Sequence, residues 1–371
     1  MNLVFFQNCV SPHQVPYIKE LCRDKRVENV CLVVPRVDYR QRVSMGWDSS
    51  HLLDGTRVKL LLQPSDDNVK RLLMAKDTYA LFSGIRADKD VFRWLKLSLN
   101  FDVKRGIITE APYIYRFPLF IHYMRFFLRD YIFVRKIQYV YAIGSLAVDY
   151  YCYWNEKWKV IPFAYCTDAK DCESQKGCEG FLERKLRLLF VGSIDKRKNV
   201  LLMLKALVSL HEENLEFHII GDGPERKCLE AYVQKKHVDS VVFHGRMDME
   251  KVHAMMPGFD ALVLPSRYDG WGAVVNEALQ CGLYVICSDK CGAKDLLVNE
   301  RLGRVFHSRK SLEACLSEAV NNVSSIRKGR DYRRSWAEYI SGRTLAKYFV
   351  DSLQSVGDAV PPWKVGVGDI K

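Results

Sequence analysis

The feature that most constrains this chain is a series of short apolar runs, each closing on a turn and separated from the next by a longer amphipathic stretch. In the first half these runs are residues 3–7, 30–34, 58–62, 79–82, 106–109, 139–143 and 159–163. In the second half they are 188–191, 216–220, 241–244, 261–264 and 284–287. Runs that are apolar nearly throughout, instead of alternating, belong to strands covered on both faces, and the intervening helices provide the crossovers of a parallel sheet. Two such series in succession predict an α/β protein of two doubly wound, Rossmann-like domains. A length of 371 residues accommodates two cores.

Residues 166–184 are polar, charged and glycine-containing, with no hydrophobic period, and read as the linker. That places one domain at 1–168 and another at 180–339. Residues 335–339 and 345–353 read as helical, and the glycine- and proline-rich tail after Val356 reads as irregular. No apolar run reaches the roughly 20 residues that span a bilayer, and residues 1–8 read as a first buried strand instead of a signal peptide, so a cytoplasmic protein is expected. Of the twelve cysteines, Cys9, Cys31, Cys281 and Cys287 sit in apolar runs, where thiols act as small hydrophobes. Cys166, Cys172 and Cys178 are evenly spaced, but no C-x2-C pair accompanies them, and no metal is expected.

The net charge is +12, which invites nucleic acid, anionic lipid or phosphorylated ligands. No zinc-finger spacing, RNP pattern or basic-region heptad is present, so no nucleic-acid partner is expected. Residues 86–136 carry eleven Lys and Arg against five Asp and Glu, an excess of six, interleaved with Phe, Tyr, Trp and Leu. Cations beside aromatic rings suit peripheral contact with an anionic membrane, on the inner face of the cell membrane; a buried helix with snorkelling arginines is the alternative.

Ligands of open α/β sheets bind at the carboxyl ends of the strands, which makes the turns of the second half the candidate ligand contacts. After the strand at 188–191 come Gly192, Ser193, Ile194, Asp195, Lys196, Arg197 and Lys198, where three cations at a helix start point to an anion such as a diphosphate, or else to a solvated turn. Gly221 and Gly223 follow the next strand and would let backbone approach a ligand. Gly245 and Arg246 follow the third, where backbone could hold a nucleobase edge. After 261–264 the chain reads Asp269-Gly270-Trp271-Gly272-Ala273-Val274, then Glu277 inside a helix. Its amides can cradle phosphate oxygens, and its two carboxylates can border one cleft. A carboxylate near phosphate is suited to ligand hydroxyls: Asp269 to the sugar, Glu277 to the ribose diol. Taken singly, either acid is also an ordinary helix residue.

The stretch 188–298 resembles the C-terminal half of family 4 glycosyltransferases, whose two glutamates are separated by seven intervening residues around a glycine-rich turn. Here Asp269 and Glu277 hold those places, Ala278, Gly282, Val285 and Ser288 fit the continuation, and Lys198 matches the diphosphate-binding lysine. Ser193 stands where the family has arginine, with Arg197 as a substitute, and Asp269 is a methylene shorter than glutamate. The resemblance implies a GT-B fold, two Rossmann-like domains facing across a cleft, in which residues from about 340 to 371 return to the first domain. It also implies a retaining transfer from a nucleoside-diphosphate sugar to a hydroxyl of a lipid-linked or oligosaccharide acceptor, as in bacterial surface-polysaccharide synthesis. No metal or resident cofactor is expected. In the first domain, His13, after the first strand, is a candidate for acting on the acceptor hydroxyl or for a capping role, and Glu110 is a second candidate contact. A nucleotide-sugar epimerase of the same fold and a non-catalytic nucleotide-sugar-binding protein remain alternatives.

Overall fold

The structure is a computed structural model and describes residues 1–39, 49–112, 121, 124, 128–154, 157–167, 185–354 and 359–365. The chain divides into two compact units, Met1–Asp168 with Ile340–Pro362, and Ala169–Tyr339 with Trp363–Lys371. The expected linker at 166–184 lies outside the described residues from 168 onward.

The first unit is built on seven parallel strands, β1 (Asn2–Phe6), β2 (Asn29–Val34), β3 (Lys59–Leu62), β4 (Thr78–Phe82), β5 (Lys104–Glu110), β6 (Tyr139–Ile143) and β7 (Lys159–Phe163), in the order β3-β2-β1-β4-β5-β6-β7. Strand order reverses between β1 and β4, whose last residues pair as Phe6 with Phe82. Successive side chains leave opposite faces. Phe6 stacks on Phe82 and leans on Trp94 of helix Lys89–Ser98, on one side of the sheet. Phe5 meets Tyr17 and Phe349 on the other.

Phe349 belongs to helix Gly342–Gln354, the segment that returns after the second unit. Its ring stacks on Tyr141 at 4.4 Å and lies within 6 Å of Tyr17, Phe5 and Phe163, all buried. The helix crosses Val15–Leu21 so closely that a Cβ on Gly342 would come 2.5 Å from the Pro16 carbonyl oxygen. Aromatic burial on this scale dominates core energetics. The returning helix is therefore part of the first core, and its attachment ends earlier than expected: Trp363 groups with the second unit, and Pro362–Val365 forms a short helix within the tail read as irregular.

The second unit has six parallel strands, β8 (Leu186–Val191), β9 (Leu215–Ile220), β10 (Val241–Gly245), β11 (Ala261–Leu264), β12 (Tyr284–Ser288) and β13 (Gly303–Phe306), in the order β10-β9-β8-β11-β12-β13. Its order reverses between β8 and β11. β13 is not expected from the sequence: it is an edge strand in which Gly303 and Arg304 leave only two apolar residues in a row. Beneath this sheet Arg333 is buried, donating to the carbonyls of Gly282, Arg301 and Ile326. Burial pulls its pKa down to about 10. Cys9, Cys31 and Cys287 are buried free thiols, but Cys281, also buried, is disulfide-bonded and not the free thiol expected.

Replacing Phe349 by Ala should cost about 3–5 kcal/mol. Urea unfolding followed by tyrosine fluorescence should show that loss, and a midpoint unchanged from wild type would deny the returning helix its place in the core.

Candidate functional site

The turn after β8 is held by Asp195. Its carboxylate accepts from the Lys198 amide at 2.8 Å and from the Ser193 hydroxyl at 2.7 Å. Burial pushes the Asp195 pKa up, but those donors and the charge of Arg197 more than offset it, so the pKa falls below the usual carboxylate range. Asp195 was not picked out from sequence. It separates the three cations: Lys196 and Arg197 are exposed, while Lys198 is buried.

Lys198 points across the β8/β11 reversal. Its Nζ lies 2.5 Å from Asp269 Oδ2, and both residues are under a tenth exposed. Arg197 stands 3.7 Å from the other Asp269 oxygen, and its backbone carbonyl accepts from the Arg267 amide at 2.8 Å. The two loops flanking the switch point are thus tied by charge and by main chain. A parallel bridge to Cys291 fixes Asp269 from the β12 side, through Asp269 N–H to Lys290 and Gly292 N–H to Asp269.

Three glycines read from sequence as ligand approaches have structural reasons. A Cβ on Gly221, at φ +139°, would come 1.9 Å from the Gly192 carbonyl oxygen, and one on Gly223 would come 2.3 Å from that of Ile194. The glycines of the second strand's turn let the β8 and β9 turns stack backbone on backbone. Gly272, at φ +92°, leaves no space for a side chain between Cys291 Sγ and Leu264 Cδ2, each 2.8 Å from the added Cβ.

Gly270 and Trp271 are buried, and Trp271 Nε1 donates to Asn276 Oδ1 at 2.8 Å. Ala273 caps helix Val274–Gln280, which carries Glu277. Glu277 is buried, and its Oε2 lies 3.4 Å from Nε2 of His253 on helix Met249–Met255. A solitary histidine carries no sequence signal, and His253 was missed. Arg246 is exposed just after β10, and Ser193 and Gly192 are part-exposed at the end of β8.

In the first unit, His13 and Glu110 converge on Tyr165, which sequence reading did not select. The His13 and Tyr165 rings are 6.2 Å apart, and the Cys166 amide donates to the His13 carbonyl. Burial and then the charge of Glu110, to which the phenol is hydrogen-bonded, hold the Tyr165 pKa well above its ordinary value.

Residues 173–342 match the family model described as Glycosyl transferases group 1. Among curated proteins, the chain is 30% identical over 197 residues to the putative glycosyltransferase EpsF of Bacillus subtilis, covering 52% of this chain and 48% of that one. It is 29% identical over 198 residues to the lipopolysaccharide glucosyltransferase WaaG of Escherichia coli, covering 49% and 50%. The chain thus spans about half the length of the curated relatives it matches. Solved structures extend the likeness in fold. The Anabaena HepE complex with UDP superposes with a TM-score of 0.68 at 14% identity, over 96% of this chain and 100% of that one. The lipopolysaccharide outer core galactosyltransferase WaaB gives 0.69 at 12%, over 95% and 99%. The fold class read from the sequence, GT-B with two Rossmann-like domains, is borne out.

Removing one partner of a buried ion pair costs about 3–5 kcal/mol, because the survivor keeps an uncompensated charge. Asp269→Ala should therefore destabilise the protein more than the double variant Lys198→Met with Asp269→Ala. A double-mutant cycle in urea would measure the coupling, and additive losses would refute it.

Proposed function

We propose that this chain is a retaining glycosyltransferase of family 4 that moves a sugar from a nucleoside diphosphate to a hydroxyl of a glycan or lipid-linked acceptor. One observation carries the reading: within the segment that matches the Glycosyl transferases group 1 model, Lys198, Arg197 and Asp269 meet at the switch point of a doubly wound sheet. In this reading Lys198 and Arg197 bind the diphosphate, with the main chain of Gly270–Val274 close by. Asp269 accepts from sugar hydroxyls, and Glu277 accepts from the ribose. The anomeric carbon–oxygen bond to the β-phosphate breaks as a bond to the acceptor oxygen forms on the same face. The acceptor proton passes to the departing phosphate. Developing charge on that phosphate falls to Lys198 and Arg197, so no metal and no protein nucleophile enters the scheme. His13 and Glu110, joined through Tyr165, are the first unit's candidates for acceptor contact. UDP-sugars are the first donors to test, since UDP is bound in the HepE structure.

Glu277→Gln and Lys198→Ala should each lower transfer from a labelled nucleotide sugar to membranes by at least about a hundredfold, the usual scale for a lost charge-stabilising group. Undiminished transfer by both variants would reject catalysis here. Epimerised free donor in the absence of acceptor would favour a nucleotide-sugar epimerase instead.

Peripheral membrane contact is part of the same proposal. Ile121, Met124, Leu128 and Ile132 are all exposed, the last two at 77% and 73% respectively. Arg129, Arg135 and Lys136 lie exposed beside them, and Arg86 pairs with Asp130 while covering the Phe92 ring. Residues 113–120, 122–123 and 125–127 of this region lie outside the described residues. Leu128→Asp with Ile132→Asp should reduce co-flotation with vesicles containing anionic lipid, while binding to neutral vesicles stays low throughout. Equal flotation of wild type and variant would dismiss the contact.

A further inference from the structure

The second unit holds a cavity of about 430 Å³ at the amino ends of β12 and β13. Tyr284 opens β12, and Glu300, Arg301 and Arg304 stand at the entry to β13. The loops that carry Lys198 and Asp269 leave the carboxyl ends of β8 and β11. In a parallel sheet those ends lie along the opposite edge, so nothing in the donor chemistry above uses this cavity.

Four cations and two carboxylates line it, and they are unevenly paired. Arg304 takes both carboxylates, Glu318 at 2.7 and 3.2 Å and Glu300 at 3.1 Å. Arg301, Lys328 and Arg333 have no ion pair among the described residues. Arg333 is buried and held by three carbonyls, so it acts on the cavity through its field and not by contact. Burial lowers its pKa, and the charges of Arg330 and Arg301 lower it further. Asp260, which offsets part of that, is already shared by Arg327 and Arg330. Like charges are thus gathered beside one opening without a counter-ion, which raises the local potential for an anion.

Three of the lining groups are set to donate. The Arg301 guanidinium lies 3.5 Å from the centroid of the Tyr332 ring, and Asn299 Nδ2 fixes that ring by donating to its hydroxyl at 2.9 Å. A guanidinium stacked on a ring keeps its N–H edge free, and that of Arg301 makes no hydrogen bond among the described residues. The Tyr284 hydroxyl makes none among them either. Burial pushes its pKa up to about 12, so it stays protonated and able to donate. Lys328 is exposed at the end of helix Val323–Lys328 and supplies the third donor. A planar fork, an ammonium and a phenol beside excess positive charge match a compact group with several anionic oxygens, which is a phosphate. The cavity has the volume of a small-ligand pocket and is larger than a bare phosphate requires, and Ala319 and Ile326 give it an apolar wall.

We propose that this cavity binds the phosphate group of a small phosphate monoester, at a site separate from the donor site. Arg301 and Lys328 hold phosphate oxygens, the Tyr284 hydroxyl donates to another, and the buried charge of Arg333 stabilises the dianion. The inference stands on the cavity's own charges and needs no part of the donor reading.

The test uses the full chain in calorimetry and thermal unfolding at constant ionic strength. The probes are glycerol 3-phosphate, glucose 6-phosphate and inorganic phosphate, with acetate and glucose as carboxylate and neutral controls. At least one monoester should bind saturably and raise the unfolding midpoint. Arg301→Gln and Lys328→Ala should each weaken that binding about tenfold or more, as loss of a charged hydrogen-bond donor implies. Both residues are exposed, and circular dichroism verifies that each variant is folded. UDP affinity should be the same in wild type and both variants. Failure of both monoesters to bind would overturn the proposal, even if inorganic phosphate bound, as would acetate binding as tightly as the esters. So would ester binding that survives Arg301→Gln with Lys328→Ala but is lost in Lys198→Ala, which would put the phosphate in the donor site. A wild type that bound a monoester but no nucleotide would sink the donor reading and leave this site standing.

Discussion

The second unit depends on a buried ion pair that joins the two strands flanking its switch point. Lys198 and Asp269 are tolerated in a nearly closed environment because each compensates the other. That pairing requires the β8 and β11 turns to keep a fixed separation, and the rest of the site supplies it. Asp195 pins the amide of Lys198, the Arg197 carbonyl takes the Arg267 amide, and the β12 turn clamps Asp269 from its far side. Gly221 and Gly223 allow the β9 turn to press onto the β8 turn from the opposite flank. The arrangement is strained against change at many points for the sake of two charges. That is the expected form of a site whose polar groups must be preorganised, since in a low-dielectric setting a misplaced charge is expensive and a well-placed one effective.

The positions of most strands were legible because parallel strands buried on both faces leave near-continuous apolar runs in the sequence. β13 was not, because an edge strand has one open side and tolerates Arg304 and the exposed Val305. The glycines after β8 and β9 stood out in the sequence, but their packing role did not. A glycine marks close approach of something to the backbone, and sequence alone does not say whether that something is a ligand or, as at Gly221, the next turn of the same protein. Partners supplied by distant segments were also invisible. His253 reaches Glu277, and Tyr165 gathers His13 and Glu110, with no local spacing to announce either contact.

The two departures from the family pattern become intelligible together. Where the resemblance leads one to expect a cation directly after the glycine of the β8 turn, this chain has Ser193, and the hydroxyl bonds to Asp195. A further cation stands later in the turn at Arg197, next to Lys198, which holds the place of the expected lysine, and Asp195 fixes the main chain that presents both. Asp269 is shorter than the expected glutamate by one methylene, yet it has a cation on each of its oxygens, Lys198 at 2.5 Å and Arg197 at 3.7 Å. A longer acid would carry its carboxylate away from one or both of these cations, and Gly272, packed between Cys291 and Leu264, leaves little space for the turn to adjust. The serine and the aspartate are therefore best understood as one compensated change. The shorter acid and its two cations keep opposite charges together at the switch point, which is the arrangement that the proposed diphosphate and sugar contacts require.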